Sequence, residues 1–144
     1  MELLVIGGTI FLGRHIVDAA LAAGHTVTLA NRGKTNADLY PDVKKLVIDR
    51  DGDISALSTG TWDAVIDTCG YVAKHTRSVA EALKDRVGHY NFISTVSVYA
   101  DMSQPGVDVD APVATTDTPD AEQVTNELYG ALKAVCEDIV REVY

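Results

Sequence analysis

Four stretches of this 144-residue chain combine residue types and spacings that can do chemistry. The first is Val5-Ile6-Gly7-Gly8-Thr9-Ile10-Phe11-Leu12-Gly13-Arg14. Its glycines permit a tight turn and let backbone N–H groups approach a pyrophosphate, and a helix N-terminus just beyond would add partial positive charge. Arg14-His15 follow where a nucleotide triphosphatase loop needs Lys and then Ser or Thr, so that chemistry is disfavoured. A glycine-rich turn with no ligand is the alternative for this stretch taken alone. The second is Asn31-Arg32-Gly33-Lys34, with two cations and no carboxylate. An acid there would accept from a ribose 2′-OH, whereas a guanidinium forks onto a phosphate; the bland reading is a pair of solvated loop charges. The third is Ser94-Thr95-Val96-Ser97-Val98-Tyr99, hydroxyls following an apolar run. The fourth is Tyr129-Gly-Ala-Leu-Lys133, whose i, i+4 spacing puts a phenol and an ammonium on one helical face. A nearby cation favours the phenolate form, so such a phenol can act as general acid or base. By itself the pair is a common surface feature.

The elements that must position these residues alternate between short apolar strands and helices. Strands are predicted at Leu3–Ile6, Thr26–Ala30, Lys45–Ile48, Ala64–Asp67 and Tyr90–Ser94. Helices are predicted at about Phe11–Ala23, with Gly24 as its stop, at Ile54–Leu57, Thr76–Lys84 and Gln123–Val140. A strand, glycine turn, helix and strand within about 30 residues is a βαβ unit. The expected fold is therefore α/β, a Rossmann-type doubly wound parallel sheet of order 3-2-1-4-5 with helices on both faces. Residues 101–121, rich in Asp, Pro and Thr, form a loop whose length hints at function. A doubly wound domain should return to its sheet after the last helix, but the chain stops at Tyr144. Residues 1–144 are thus expected to be a dinucleotide-binding domain, truncated before further strands and a substrate-binding lobe.

Composition narrows the function classes. Hydrophobic residues are 47% and charged residues 23%, as in a folded soluble protein. A net charge of −9 argues against non-specific binding to nucleic acid or an anionic membrane. The imbalance is local: residues 101–144 hold 2 basic and 10 acidic side chains, against 10 and 11 before them. Cys69 and Cys136 form neither a disulfide framework nor a metal-ligand pattern, so no metal is expected. The start lacks the basic stretch and long apolar run of a signal peptide, and no apolar run approaches a membrane span, so a cytoplasmic protein is the expectation.

The glycine stretch resembles the loop of the extended short-chain dehydrogenases, Thr-Gly-x-x-Gly-x-x-Gly. Gly7 and Gly13 match its first and third glycines, while Ile6 stands for the Thr and Ile10 for the middle glycine. The run Gly-Gly-Thr-x-Phe-Leu-Gly also occurs in atypical members, in which residue 10 must turn its side chain away from the diphosphate. The strand end at 94–99 resembles the Ser-Thr-x-x-Val-Tyr motif of the epimerases and dehydratases, which selects Thr95 as the active hydroxyl. With Tyr129 and Lys133 in the same order, the chain is identified as resembling the NAD-dependent epimerase/dehydratase family over its whole length, but only the front half of a typical member.

The resemblance implies dinucleotide contacts from Gly7, Thr9, Ile10, Phe11, Leu12 and Gly13 around the diphosphate. It implies further contacts from Asn31, Arg32 and Lys34 at the ribose, Asp49 and Arg50 at the adenine, and Thr68, Cys69, Gly70, Tyr71 and Ser94 nearer the nicotinamide. The cations at 32 and 34 favour NADP over NAD. The implied reaction is hydride transfer at a carbon bearing a hydroxyl or carbonyl. Tyr129 would move the proton, Thr95 would orient the substrate oxygen, and Lys133 would hold the ribose. A nucleotide sugar is the substrate class often taken by related members, and family dimers often pair through the helix that includes Tyr129, so a homodimer is one assembly the resemblance allows, while the sequence does not give the oligomeric state. Val96-Ser97 replace the acids of the 4,6-dehydratases, which leaves epimerase or reductase. These 144 residues alone are expected to be inactive. The alternatives are a non-catalytic dinucleotide sensor, which would commonly lack the Tyr or Lys, and an RNA-binding atypical member, which the charge of −9 disfavours.

Overall fold

A computed structural model describes residues 1–144. The chain comprises two compact units, Met1–Cys69 with Glu81–Ile93, and Gly70–Ala80 with Ser94–Tyr144.

The first unit holds one parallel sheet. Its strands are β1 (Glu2–Ile6), β2 (Thr26–Asn31), β3 (Lys44–Val47), β4 (Trp62–Asp67) and β5 (Val87–Phe92), in the order β3-β2-β1-β4-β5. β1 lies at the centre because it is apolar on both faces: Leu3, Leu4, Val5 and Ile6 are all buried. Its register pairs Ile6 with Ala30 on one side and with Asp67 on the other. Helix α1 (Phe11–Ala22) buries Val17 and Ala20 in a cluster with Leu3, Val5, Val27 and Leu29. β3 is an edge strand, and its Lys44 and Lys45 are exposed, as suits a strand that must not recruit another chain. A 3-10 turn at Ser55–Thr59 replaces the expected short helix.

Strand β5 starts three residues before the predicted position. Val87-Gly88-His89 shows no apolar run, yet Val87 pairs with Trp62 and His89 with Ala64. On an edge strand the solvated side chains do not oppose pairing, and a Cβ at Gly88 would sit 2.9 Å from the Asp63 carbonyl oxygen. Glycine is the residue that lets the two strands meet there.

In the second unit, α2 begins at Ala73 and continues to Leu83, its last turn lying in the first unit. Helix α3 (Tyr129–Val143) starts six residues after the predicted boundary. The Thr125 hydroxyl accepts from the Leu128 N–H, and the Thr125 carbonyl from the Tyr129 N–H. Side chain-to-backbone bonding of this kind holds residues 125–128 in a turn that leads into the helix. The long connection is laced to the turn after β5 by an antiparallel bridge between Tyr99 and Val113. No helix is long and apolar enough to cross a membrane.

Candidate active site

In the first unit the glycine turn joins β1 to α1. Gly7 and Gly8 adopt φ of +99° and +82°, a left-handed region closed to most side chains. The space is closed as well: a Cβ at Gly8 would lie 2.4 Å from Leu29 Cδ2. Gly13 serves a different need. A Cβ there would come within 2.8 Å of Gly8 Cα and 2.9 Å of Gly8 N, so the glycine lets α1 begin directly against the turn. Gly13→Ala is expected to push them apart, at a cost of about 1–3 kcal/mol, readable as a lower midpoint in thermal melting.

Around that turn the apolar side chains face outward. Ile10 is 63% exposed and Phe11 79% exposed, with the Phe11 ring edge-on to His15 at 5.9 Å. Leu12 is also exposed, and Thr9 is buried. The Gly8, Thr9 and Ile10 N–H groups precede the helix and donate to no acceptor of the chain. Unpaired N–H groups at a helix start are what an anion would meet.

The turn after β2 is held by the last residue of that strand. Asn31 donates from Nδ2 to the Gly7 carbonyl at 2.9 Å and accepts from the Gly33 N–H at 2.8 Å. Both ends of the amide are therefore engaged within the chain. Arg32 and Lys34 stand exposed beyond it. Asp49, after β3, caps its own turn, accepting from the Asp51 N–H and donating its N–H to the Asp53 carbonyl.

Arg50 turns inward to form an ion pair with Asp67, the last residue of β4, whose side chain is fully buried. Asp67 also accepts from the Tyr90 hydroxyl at 2.8 Å and the Cys69 N–H at 3.1 Å. Burial alone would favour loss of the Arg50 charge. The Asp67 carboxylate, with smaller contributions from Cys69 and Tyr90, outweighs it and raises the guanidinium above its ordinary value. Thr68 donates its hydroxyl to the Ile6 carbonyl at 2.8 Å, bracing β4 against β1. Arg50 Nε and Nη1 are buried without a partner.

The second unit carries the other expected groups. Thr95 is half-buried and accepts on Oγ1 from the Ser97 N–H at 3.2 Å, capping a 3-10 turn at Val96–Val98. The Ser94 hydroxyl is buried and meets no partner. Gly130 brings α3 onto this turn: a Cβ there would fall 2.0 Å from the Ser97 carbonyl oxygen. Tyr129 and Thr95 thereby flank one junction, one residue from Gly130 and two from Ser97. Lys133, one helical turn on, is 2% exposed, and its Nζ donates to the Gly70 carbonyl at 2.8 Å. The Tyr71 ring covers the ammonium at 5.5 Å from its centroid. A lysine buried this way is costly unless its charge is used or paired. No group of three or more His, Cys, Asp or Glu converges as a metal site.

Several participants escape the sequence motifs. Asp67 reads as one more residue of an apolar strand, although an acid ending such a strand must find a partner once buried. Tyr90 and Gly130 carry no local signal, since their roles exist only once distant segments meet.

The family model for the NAD dependent epimerase/dehydratase family matches residues 3–144. No curated protein matches the sequence significantly. Among solved structures, the UDP-Glc/GlcNAc 4-epimerase of Campylobacter jejuni superposes with a TM-score of 0.79 at 18% identity, covering 99% of this chain and 48% of that one. UDP-glucose 4-epimerase of Bifidobacterium longum, solved with NAD+ and UDP, gives 0.78 at 21% identity, covering 99% and 49%. The Bordetella bronchiseptica enzyme WbmG, in complex with NAD, gives 0.78 at 16%, covering 99% and 49%. At these identities the likeness is one of fold, and the chain spans about half the length of these structures.

Proposed function

Because the chain belongs to the NAD-dependent epimerase/dehydratase family, we propose that it binds a nicotinamide dinucleotide and serves an epimerase or reductase acting on a sugar, with a nucleotide sugar as the substrate class. The observation that carries this is Lys133, a buried ammonium on the Gly70 carbonyl, one helical turn from Tyr129 at the junction with the Thr95 turn. Burying an ammonium costs free energy that an apolar side chain at the same place would not incur, which supports a role for Lys133 beyond packing.

The residues fit the dinucleotide. In the first unit, the N–H groups of the Gly7–Gly13 turn would take the diphosphate, and Arg32 and Lys34 a 2′-phosphate. In the second, Lys133 would donate to ribose hydroxyls. The bound dinucleotide supplies a nicotinamide C4 that takes and returns hydride. Thr95 would donate a hydrogen bond to the substrate oxygen and fix its orientation, while Tyr129 takes or gives the proton at that oxygen.

The exposed cations Arg32 and Lys34 beyond β2, with no carboxylate beside them, support NADP over NAD. Titration calorimetry of the purified protein is expected to show NADPH binding about tenfold tighter than NADH, the scale of a charge-assisted hydrogen bond. Arg32→Ala is expected to remove most of that difference. A tenfold preference for NADH would overturn the assignment of Arg32.

A further inference from the structure

Two asparagines, one ending β2 and one in the connection after it, act on the glycine turn, and only the first belongs to the expected contacts. Asn31 donates to the Gly7 carbonyl at 2.9 Å, and Asn36 donates from Nδ2 to the Thr9 carbonyl at 2.8 Å. The two carbonyls lie two residues apart on the segment proposed to meet the diphosphate. Asn36 reaches its place through a left-handed backbone, φ +49°, which asparagine tolerates better than most residues.

We propose that Asn36, together with Asn31, is a positioning residue for the diphosphate turn: its amide binds the Thr9 carbonyl and so fixes the peptide planes whose N–H groups receive the anion. Two physical consequences follow from the geometry. A peptide unit is planar and trans, so holding a carbonyl on one side sends the next N–H to the opposite side. Fixing the Thr9 carbonyl therefore orients the Ile10 N–H, and fixing Gly7 orients that of Gly8. The second consequence is electrostatic. A carbonyl oxygen free to swing toward a diphosphate would repel it, and the amide donors hold both oxygens away. Ile10 itself is extended, φ −131°, a backbone open to isoleucine, and its side chain lies in solvent away from the turn's N–H groups.

This inference rests on the proposed dinucleotide binding, and its test separates the two. Asn36→Gly removes the amide while keeping a residue that accepts positive φ, and Asn36→Asp keeps shape but loses the donor. Affinities for NADPH, NADH and adenosine 2′-phosphate, which lacks the diphosphate, are measured on wild type and both variants, with thermal melting as the control for folding. Both variants are expected to weaken NADPH and NADH by similar factors, about fivefold for Asn36→Gly on the scale of one neutral hydrogen bond, and more for Asn36→Asp. Binding of adenosine 2′-phosphate should change less than about twofold, which a general loosening of the loop would not produce. Unchanged dinucleotide affinity in Asn36→Gly, or an equal loss for adenosine 2′-phosphate, overturns the positioning role. A wild-type protein that binds neither dinucleotide overturns the reading beneath it.

Discussion

In an intact protein that also carries the substrate-binding half, Tyr129→Phe is expected to lower turnover by at least about a hundredfold while dinucleotide affinity stays within about twofold. The hydroxyl is the only group removed. Within the chain it donates to no acceptor, and the ring at the start of α3 stays half-buried against the same neighbours. Folding should therefore be almost indifferent to the change, and melting of the variant should coincide with wild type. Losing the proposed acid and base raises the barrier without touching the binding proposed for the turn and Lys133, so the effect belongs in kcat rather than in the cofactor Kd. Steady-state rates on a nucleotide-sugar substrate, with the dinucleotide titrated separately, separate the two. A variant that keeps its rate would remove Tyr129 from the chemistry.

Asp67→Ala is the change expected to cost the fold most. The carboxylate is fully buried and takes the Arg50 guanidinium, the Tyr90 hydroxyl and the Cys69 N–H. Removing it leaves a cation buried without its counter-charge, with a cost of about 3–5 kcal/mol. In a domain of this size that corresponds to a thermal midpoint lower by on the order of 10 °C. Replacing both partners, as in Arg50→Met with Asp67→Leu, is expected to recover most of the loss, because it is the unpaired charge and not the missing bond that destabilises. A melting curve for Asp67→Ala within about two degrees of wild type would contradict the account of the pair.

The same pair shows where sequence reading stops. Asp49-Arg50 match a motif that meets an adenine, and nothing local announces that the guanidinium also pairs with Asp67. The acid that draws Arg50 inward lies 17 residues away, on β4. Asn36 was missed for a similar reason: an asparagine in a polar connection is an ordinary turn residue until its amide is found on Thr9.

What the sequence settled by itself is the part governed by short-range physics. The period of apolar residues laid out the strands and most helices. The glycines at 7 and 13 announced a turn leading into a helix, and the i, i+4 interval put Tyr129 and Lys133 on one face. Those inferences need only neighbours within a few residues. The tertiary structure decided where Lys133 finds its acceptor, why residue 130 must be glycine beneath the Ser97 carbonyl, which strand residues pair at the β5 edge, and how Arg50 is held. Each of these depends on a partner brought close by folding, and both burial and the charge it must balance are properties of that encounter rather than of any local run of residues.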